Sequence, residues 1–280
     1  MDYTGNKKRQ TNYFREISTI MKKHYFVFHK DYILLEKHED GSFNIPYSEV
    51  PPTTITNRAD IMTVTAADGE EVLTYSVDIP IADNSGLELC GLRESYYKLP
   101  YSQYLKAGKC KELLYWDHNS KFCGACGGLM QKSTDISKKC GKCGKEVWPQ
   151  LATAVIVLIS KGNDILLVHA KNFRGNFYGL VAGFVETGET LEQAVSREVL
   201  EETGLKIKNI KYFGSQPWPY PCGLMIGFTA DYQEGEISLQ QSELTSGSWF
   251  DAANLPTIPE KLSIARMLID DWLKKQKNKN

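Results

Sequence analysis

The stretch Gly183–Leu205, GFVETGETLEQAVSREVLEETGL, decides how the rest of the chain is read. Its first eight residues nearly match the phosphate-cradling pattern G-x-x-x-x-G-K-[ST], but Glu189 stands where the lysine belongs. A carboxylate there repels a phosphate held against the loop, so a bound phosphate requires an intervening cation. Thr190 with Gln193 three residues on is a capping box that opens a helix, and Gly204 suits its exit. On that helix Glu198, Glu201 and Glu202 fall at i, i+3 and i+4 and share one face. A solvated acidic face is the plain reading. Three unrelieved carboxylates repel one another, however, and an oxygen-rich site for hard divalent cations explains them better. Arg197 is adjacent and suited to orient a glutamate or balance charge.

Upstream, LATAVIVLIS (151–160) is β-branched and apolar, as a buried strand should be, and ILLVHA (165–170) returns across KGND as its hairpin partner. A Gly-rich loop joins these to the acidic helix. Downstream, strands are expected over 207–213, 224–231 and 246–250, then an amphipathic helix from about Lys261 and a frayed polar tail, KKQKNKN. In the first hundred residues, KHYFVFHKDYILLEK reads as two strands around a turn, YSVDIP as another strand, and SQYLKAGKCKELLYW as a helix. That region carries no catalytic motif.

The 280 residues are 42% hydrophobic, enough for real cores, and the net charge of −1 gives no global basic field for nucleic acid or membrane. No apolar run approaches a membrane span, and the N-terminus lacks the apolar segment of a signal peptide. The seven cysteines are an odd number, which with no secretion signal argues against a disulfide framework and for the cytoplasm. Four of them form two C-x2-C pairs, Cys123/Cys126 and Cys140/Cys143, with a glycine after each pair. Four thiolates suit tetrahedral Zn²⁺ with no open position, a structural site. Such a module either binds nucleic acid or merely staples a segment too small to fold alone.

GSQPWPYPCG (214–223) alternates Pro217, Pro219 and Pro221 with Trp218 and Tyr220. Proline geometry excludes a helix or a central strand. Two readings stand: a Pro-rich turn with its rings packed on the core, or a stiff platform for a flat ligand, whose rigidity lowers the ordering cost of binding.

The acidic stretch resembles the Nudix box, G-x5-E-x7-R-E-U-x-E-E-x-G-U with U aliphatic, at every fixed position: Gly183, Glu189, Arg197, Glu198, Val199, Glu201, Glu202, Gly204 and Leu205. Ser215–Gly223, SQPWPYPCG, is similar to the S-Q-P-W-P-F-P-x-S of NudC-like NADH pyrophosphatases, with Tyr220 for Phe and Gly223 for the last Ser. The order of modules also resembles that subfamily. The resemblance implies an α/β chain: a Nudix α/β/α sandwich with a mixed sheet (149–280), preceded by a zinc ribbon (119–148) and a small β-rich N-terminal domain (1–118). It implies hydrolysis of NADH or NAD⁺ at the pyrophosphate, giving NMN(H) and AMP, with removal of NAD caps from RNA as a second activity, and a homodimer.

By the same resemblance, Glu198, Glu201 and Glu202 are catalytic and bind Mg²⁺ or Mn²⁺ with Glu243 and the Ala182 carbonyl. Gln216, Pro217, Trp218, Pro219, Tyr220, Pro221, Cys222 and Gly223 line the substrate. Phe184 and Trp148 supply aromatic rings, with core packing as the plain alternative for both, and Ala265 and Arg93 contact substrate. Two rival functions remain: a Nudix hydrolase of another dinucleotide, such as ADP-ribose or a diadenosine polyphosphate, and a non-catalytic nucleotide sensor or RNA-binding protein. The proline–aromatic stretch argues against the first, and the complete set of box glutamates against the second.

Overall fold

The computed structural model describes residues 21–54, 61–78, 86–173 and 175–278. The N-terminal twenty residues, read above for a leader, and Ile79 and Pro80 at the end of YSVDIP lie outside them.

Three sheets follow one another. The first contains β1 (Lys23–His29), β2 (Tyr32–Lys37), β3 (Phe43–Asn44), β4 (Tyr47–Ser48), β5 (Met62–Thr65), β6 (Glu71–Ser76) and β7 (Leu87–Gly91). Its path is β3-β2-β1-β6-β5, with β4 also on β1 and β7 also on β2, and β1 and β6 run parallel. A 3-10 turn (Glu94–Tyr97) leads into α1 (Tyr101–Asn119), which packs Ala107, Cys110, Leu113 and Trp116 into the first core. The second sheet is a small antiparallel ribbon, β8 (Met130–Thr134), β9 (Ser137–Cys140) and β10 (Glu146–Val147). Lys138 docks it: its buried ammonium donates to the Asp117 carbonyl (2.7 Å), pairs with the Asp117 carboxylate (3.0 Å) and lies over the Trp116 ring.

The third sheet holds β11 (Ala152–Lys161), β12 (Asp164–Ala170), β13 (Val181–Phe184), β14 (Lys206–Trp218), β15 (Gly223–Glu234) and β16 (Leu244–Phe250). Its path is β14-β15-β11-β12-β16, with β13 also on β11 and β11 parallel to β15. The apolar run of β11 is buried on both faces by strand alternation. Val155, Val157 and Ile159 pack with Ala194, Val195 and Val199 of α2 (Leu191–Thr203), while Ile156 and Leu158 pack with Leu268, Ile269 and Trp272 of α3 (Ile264–Lys277). Each fully buried aliphatic side chain of this kind contributes about 1.5–3 kcal/mol. The result is the expected α/β/α sandwich with a mixed sheet.

Three expectations are corrected. The last helix begins at Ile264, not Lys261, because the Ser263 hydroxyl accepts the Arg266 N–H and caps it there. It also runs on through Lys274, Lys275 and Lys277, residues read above as a frayed tail. Strand β14 does not stop at 213 but continues through Pro217 to Trp218; it is a sheet edge, where a proline costs no ladder bond. No helix among the described residues is long and apolar enough to cross a membrane.

Candidate active site

Helix α2 starts as its sequence dictates. The Thr190 hydroxyl accepts the Gln193 N–H, the Gln193 side chain accepts the Thr190 N–H, and Gly204 closes the helix in the left-handed region at φ +71°. The acidic face points back over β13. A Cβ on Gly183 would lie 2.0 Å from the carboxyl carbon of Glu198 and 2.2 Å from each of its oxygens, so the first box glycine exists to admit that carboxylate.

The glutamates are not equivalent. Arg197 donates to Glu189 through Nε and Nη2, to Glu198 Oε1 through Nη1 (2.9 Å), to Glu201 Oε2 through Nη1 (3.1 Å), and to the Phe184 carbonyl through Nη2 (2.9 Å). The guanidinium holds Glu189 below the usual carboxylate range. The reading of three unrelieved carboxylates is therefore corrected, since Arg197 relieves Glu198 and Glu201. Glu202 stands apart. It is 4% exposed, and no hydrogen bond or ion pair reaches its carboxyl among the described residues. Burial, with Glu198, Glu243 and Glu201 nearby, pushes it up to about 8.

Glu243 reaches this group through the segment before β16. The Ser238 N–H donates to the Thr203 carbonyl and the Gln240 N–H to the Glu202 carbonyl, both at 2.9 Å, which lays that segment across the end of α2. Glu202, Glu243 and Ala182 then line one cleft of about 410 Å³. Lys171, Asn172 and Phe173 line it too, and the Lys171 N–H donates to the Glu243 carbonyl (2.8 Å). Sequence reading passed over these three, seeing only a Gly-rich loop; the available signal was a basic and aromatic segment leaving β12 at the end of the sheet. An all-oxygen set with one buried, unpaired carboxyl fits a hard divalent cation, and the mutual repulsion is a force such a cation relieves.

The proline–aromatic turn lies at the end of β14. Sheet register sets Trp218 opposite Gly223, Gly223 opposite Ala152, and Phe184 opposite Ala154, so these residues gather at one end of β11. Phe184 is 66% exposed and Trp148 53%, which removes core packing as the explanation for either ring. Gln216 is buried and spends its amide inside the protein: Nε2 donates to the Leu262 carbonyl and Oε1 accepts the Ile264 N–H, both at 2.7 Å. Its side chain thus fixes the start of α3. Ala265 is 8% exposed within the α3 core. Pro219 is buried, Pro217 and Pro221 are exposed, and Cys222 is half-buried. The Arg93 guanidinium, from the first unit, sits 5.0 Å from the ring centroids of both Trp218 and Tyr220.

The four ribbon cysteines also converge. Their Sγ atoms lie within 4.8 Å of one another, with Cys123–Cys143 at 3.6 Å and Cys126–Cys140 at 3.5 Å. Tetrahedral zinc with bonds of about 2.3 Å needs sulfur separations of about 3.8 Å. Backbone N–H groups of Cys143 and Lys142 pull the Cys140 thiol down to about 6, favouring the thiolate that a metal requires.

Residues 148–271 match the NUDIX domain, and residues 22–116 match the NADH pyrophosphatase-like rudimentary NUDIX domain. The chain is 39% identical over 206 residues to the NAD-capped RNA hydrolase NudC of Pseudomonas aeruginosa (strain LESB58), covering 73% of this chain and 74% of that protein. It is 44% identical over 176 residues to the NAD-capped RNA hydrolase NudC of Haemophilus influenzae (strain PittGG), covering 61% of this chain and 67% of the relative. Among solved structures, a NUDIX hydrolase from Nitrosomonas europaea is similar with a TM-score of 0.49 and 22% identity, over 56% of this chain and 93% of that one.

Proposed function

The chain belongs to the NudC-like NADH pyrophosphatase family of Nudix hydrolases, and from that premise we propose that it splits the pyrophosphate of NADH and NAD⁺ into NMN(H) and AMP and removes NAD caps from RNA, leaving a 5′-monophosphate. The observation that carries this reading is the cleft lined by Glu202, Glu243 and Ala182, beside an intact acidic helix.

Glu198, Glu201, Glu202, Glu243 and the Ala182 carbonyl would hold the divalent cation, Mg²⁺ or Mn²⁺. Bound there, it neutralises phosphate charge and acidifies a water. One carboxylate of the cluster takes the proton of the attacking water. Arg197 keeps Glu198 and Glu201 aimed by its shared hydrogen bonds. Trp218 and Tyr220 shape the base pocket, with Phe184 and Trp148 as further stacking rings and Pro217 to Gly223 as the wall. Remote binding of the flat base positions the scissile bond at the carboxylates.

The thiolates hold one structural Zn²⁺ per chain, which divides the chain into units near 1–118, 119–148 and 149–280. We also propose a cytoplasmic homodimer. Phe122, Leu129 and Ile136 on the ribbon are 65%, 65% and 50% exposed, an apolar face that a second copy would cover. Light scattering at micromolar concentration checks this.

The decisive experiment measures products from NADH, NAD⁺, ADP-ribose and NAD-capped RNA in parallel, with Mg²⁺ or Mn²⁺. AMP from NADH and a 5′-monophosphate from capped RNA are expected. Faster turnover of ADP-ribose would move the assignment to another dinucleotide. NADH binding with no product would make the protein a sensor.

A further inference from the structure

The first unit has no acidic helix among its described residues, yet it reaches the proline–aromatic turn at four points. Tyr104 of α1 meets Tyr220 hydroxyl to hydroxyl at 2.8 Å. Gly108, one turn further along the same face, lies under Pro219, where an added Cβ would stand 3.2 Å from the proline Cγ. Arg93 covers both the Trp218 and Tyr220 rings, and the Tyr220 ring packs against the first hydrophobic core. Trp218 and Tyr220 themselves stand edge to face, with centroids 5.0 Å apart and planes at 74°.

We infer that Tyr104 is a positioning residue: through its hydroxyl it fixes the Tyr220 ring, and so the shape of the base pocket, from the first unit. This rests on the reading that the turn holds the base of the substrate. Shape alone would be served by phenylalanine at 104, because that ring is 3% exposed and held edge-on by Tyr96 at 5.4 Å. The hydroxyl adds direction. Tyr220 is the only hydrogen-bond partner of the Tyr104 hydroxyl among the described residues. Burial pushes both phenols above their ordinary value, so two neutral hydroxyls face each other and neither is lost to ionisation near neutral pH. A buried hydroxyl deprived of its partner is costly, so the Tyr220 side chain swings about its Cα–Cβ bond only by giving up that bond. The ring pair is held ready for a flat ligand, and the ordering cost is met before binding.

The test compares Tyr104→Phe, Tyr220→Phe and the double variant in the full chain, with two readouts. One is the NADH dissociation constant without divalent metal, followed by the fluorescence of the reduced nicotinamide. The other is kcat and KM for AMP formation with Mg²⁺. Tyr104→Phe is expected to raise the dissociation constant and KM by about fivefold with kcat unchanged, the scale of one buried hydrogen bond. With Tyr220 already Phe, the same change should add less than twofold. Three results overturn the inference: an unchanged dissociation constant, a loss confined to kcat, or a lower Tm with normal KM, which would make the bond merely structural. Should Tyr104→Phe fold poorly, Tyr220→Phe carries the same expectation and is overturned by the same three results. Wild-type protein that binds NADH but forms no AMP would sink the hydrolase reading, while the binding arm still decides the role of Tyr104.

Discussion

The first and third sheets follow the same path. In the first, β5-β6-β1-β2-β7 run in order with β4 added on β1; in the third, β14-β15-β11-β12-β16 run in order with β13 added on β11. The corresponding pairs agree in sense: β1/β6 and β11/β15 are parallel, and the other matching pairs are antiparallel. Each sheet is followed by a helix, α1 or α3. The difference is one insertion. Between β13 and β14 the third sheet carries α2 with its glutamates. Between β4 and β5 lie only residues 49–61, with Pro51-Pro52 near their start and no helix in the part described. The sheet is set by alternating apolar residues, which both units have. The proposed chemistry sits on a single helix, which only the third sheet carries among the described residues.

The largest expected effect erases that difference. Glu202→Gln keeps size and shape but removes the buried charge. AMP formation should fall at least about a hundredfold, the scale of losing a general base. NADH binding through the turn should survive, leaving a third sheet as inert as the first. Turnover near normal at saturating Mg²⁺ would show that the inserted helix does not carry the chemistry through this residue.

The contrast between the units was partly legible in the sequence. The start and stop of α2, the hairpin of β11 and β12, and the four-cysteine cluster are local patterns, and the structure has them where the residues place them. What could not be read depends on partners distant in the chain. Pro217 continues a strand because β14 is an edge, a property of the whole sheet. Arg197 relieves Glu198 and Glu201 through the rotamer it adopts, which spacing does not fix. Gln216 belongs to the start of α3, 48 residues away from Ile264 in sequence. The shared path of the two sheets was hidden in part because a strand of two residues, β4, has no pattern to detect.

Removing the zinc proposed for the ribbon tests the joint between the units. Cys140→Ser should leave less than one zinc per chain by elemental analysis and lower Tm by more than about 5 °C. The joint is sensitive because Lys138, two residues before Cys140, anchors the ribbon to the end of α1. Full stability without zinc would reduce the ribbon to a spacer.

A smaller effect separates the units by pH. In the metal-free protein Glu202 is raised to about 8 from its ordinary 4.5, so the folded state keeps a proton that the unfolded chain releases. Its contribution to stability is complete below about pH 4.5 and is lost as pH rises toward 8. Glu112 on α1, raised by burial to about 7, adds a loss of the same sign over a narrower range. Denaturant titrations of metal-free protein at pH 5 and pH 8 should therefore show lower stability at pH 8. Glu202→Gln should flatten the slope, and Glu112→Gln should flatten it less. Mg²⁺, expected to bind the ionised carboxylates, should restore stability at pH 8 in the wild type and in Glu112→Gln, and much less in Glu202→Gln. A rise in stability from pH 5 to pH 8 without metal would contradict the assignment of Glu202 as a buried, unpaired acid.

The smallest expected effect concerns Gly223, where the related enzymes' pattern has serine. A Cβ at this position would lie 3.0 Å from the Trp218 carbonyl oxygen and 3.3 Å from the Trp218 Cβ. Both contacts are tighter than relaxed packing, so Gly223→Ser requires the turn to open by a few tenths of an ångström. Whether it can open depends on the first unit. Tyr104, Gly108 and Arg93 contact Tyr220, Pro219 and the ring pair from the first unit. If that grip is rigid, the serine is strained, costing about 1 kcal/mol in a denaturant titration, and KM for NADH rises about twofold. Adding Tyr104→Phe should then relieve part of the folding cost, because one side of the grip has been released. Strict additivity of the two changes would mean that the turn yields toward solvent at Pro221 instead, and that the first unit supports the rings without constraining the backbone between them.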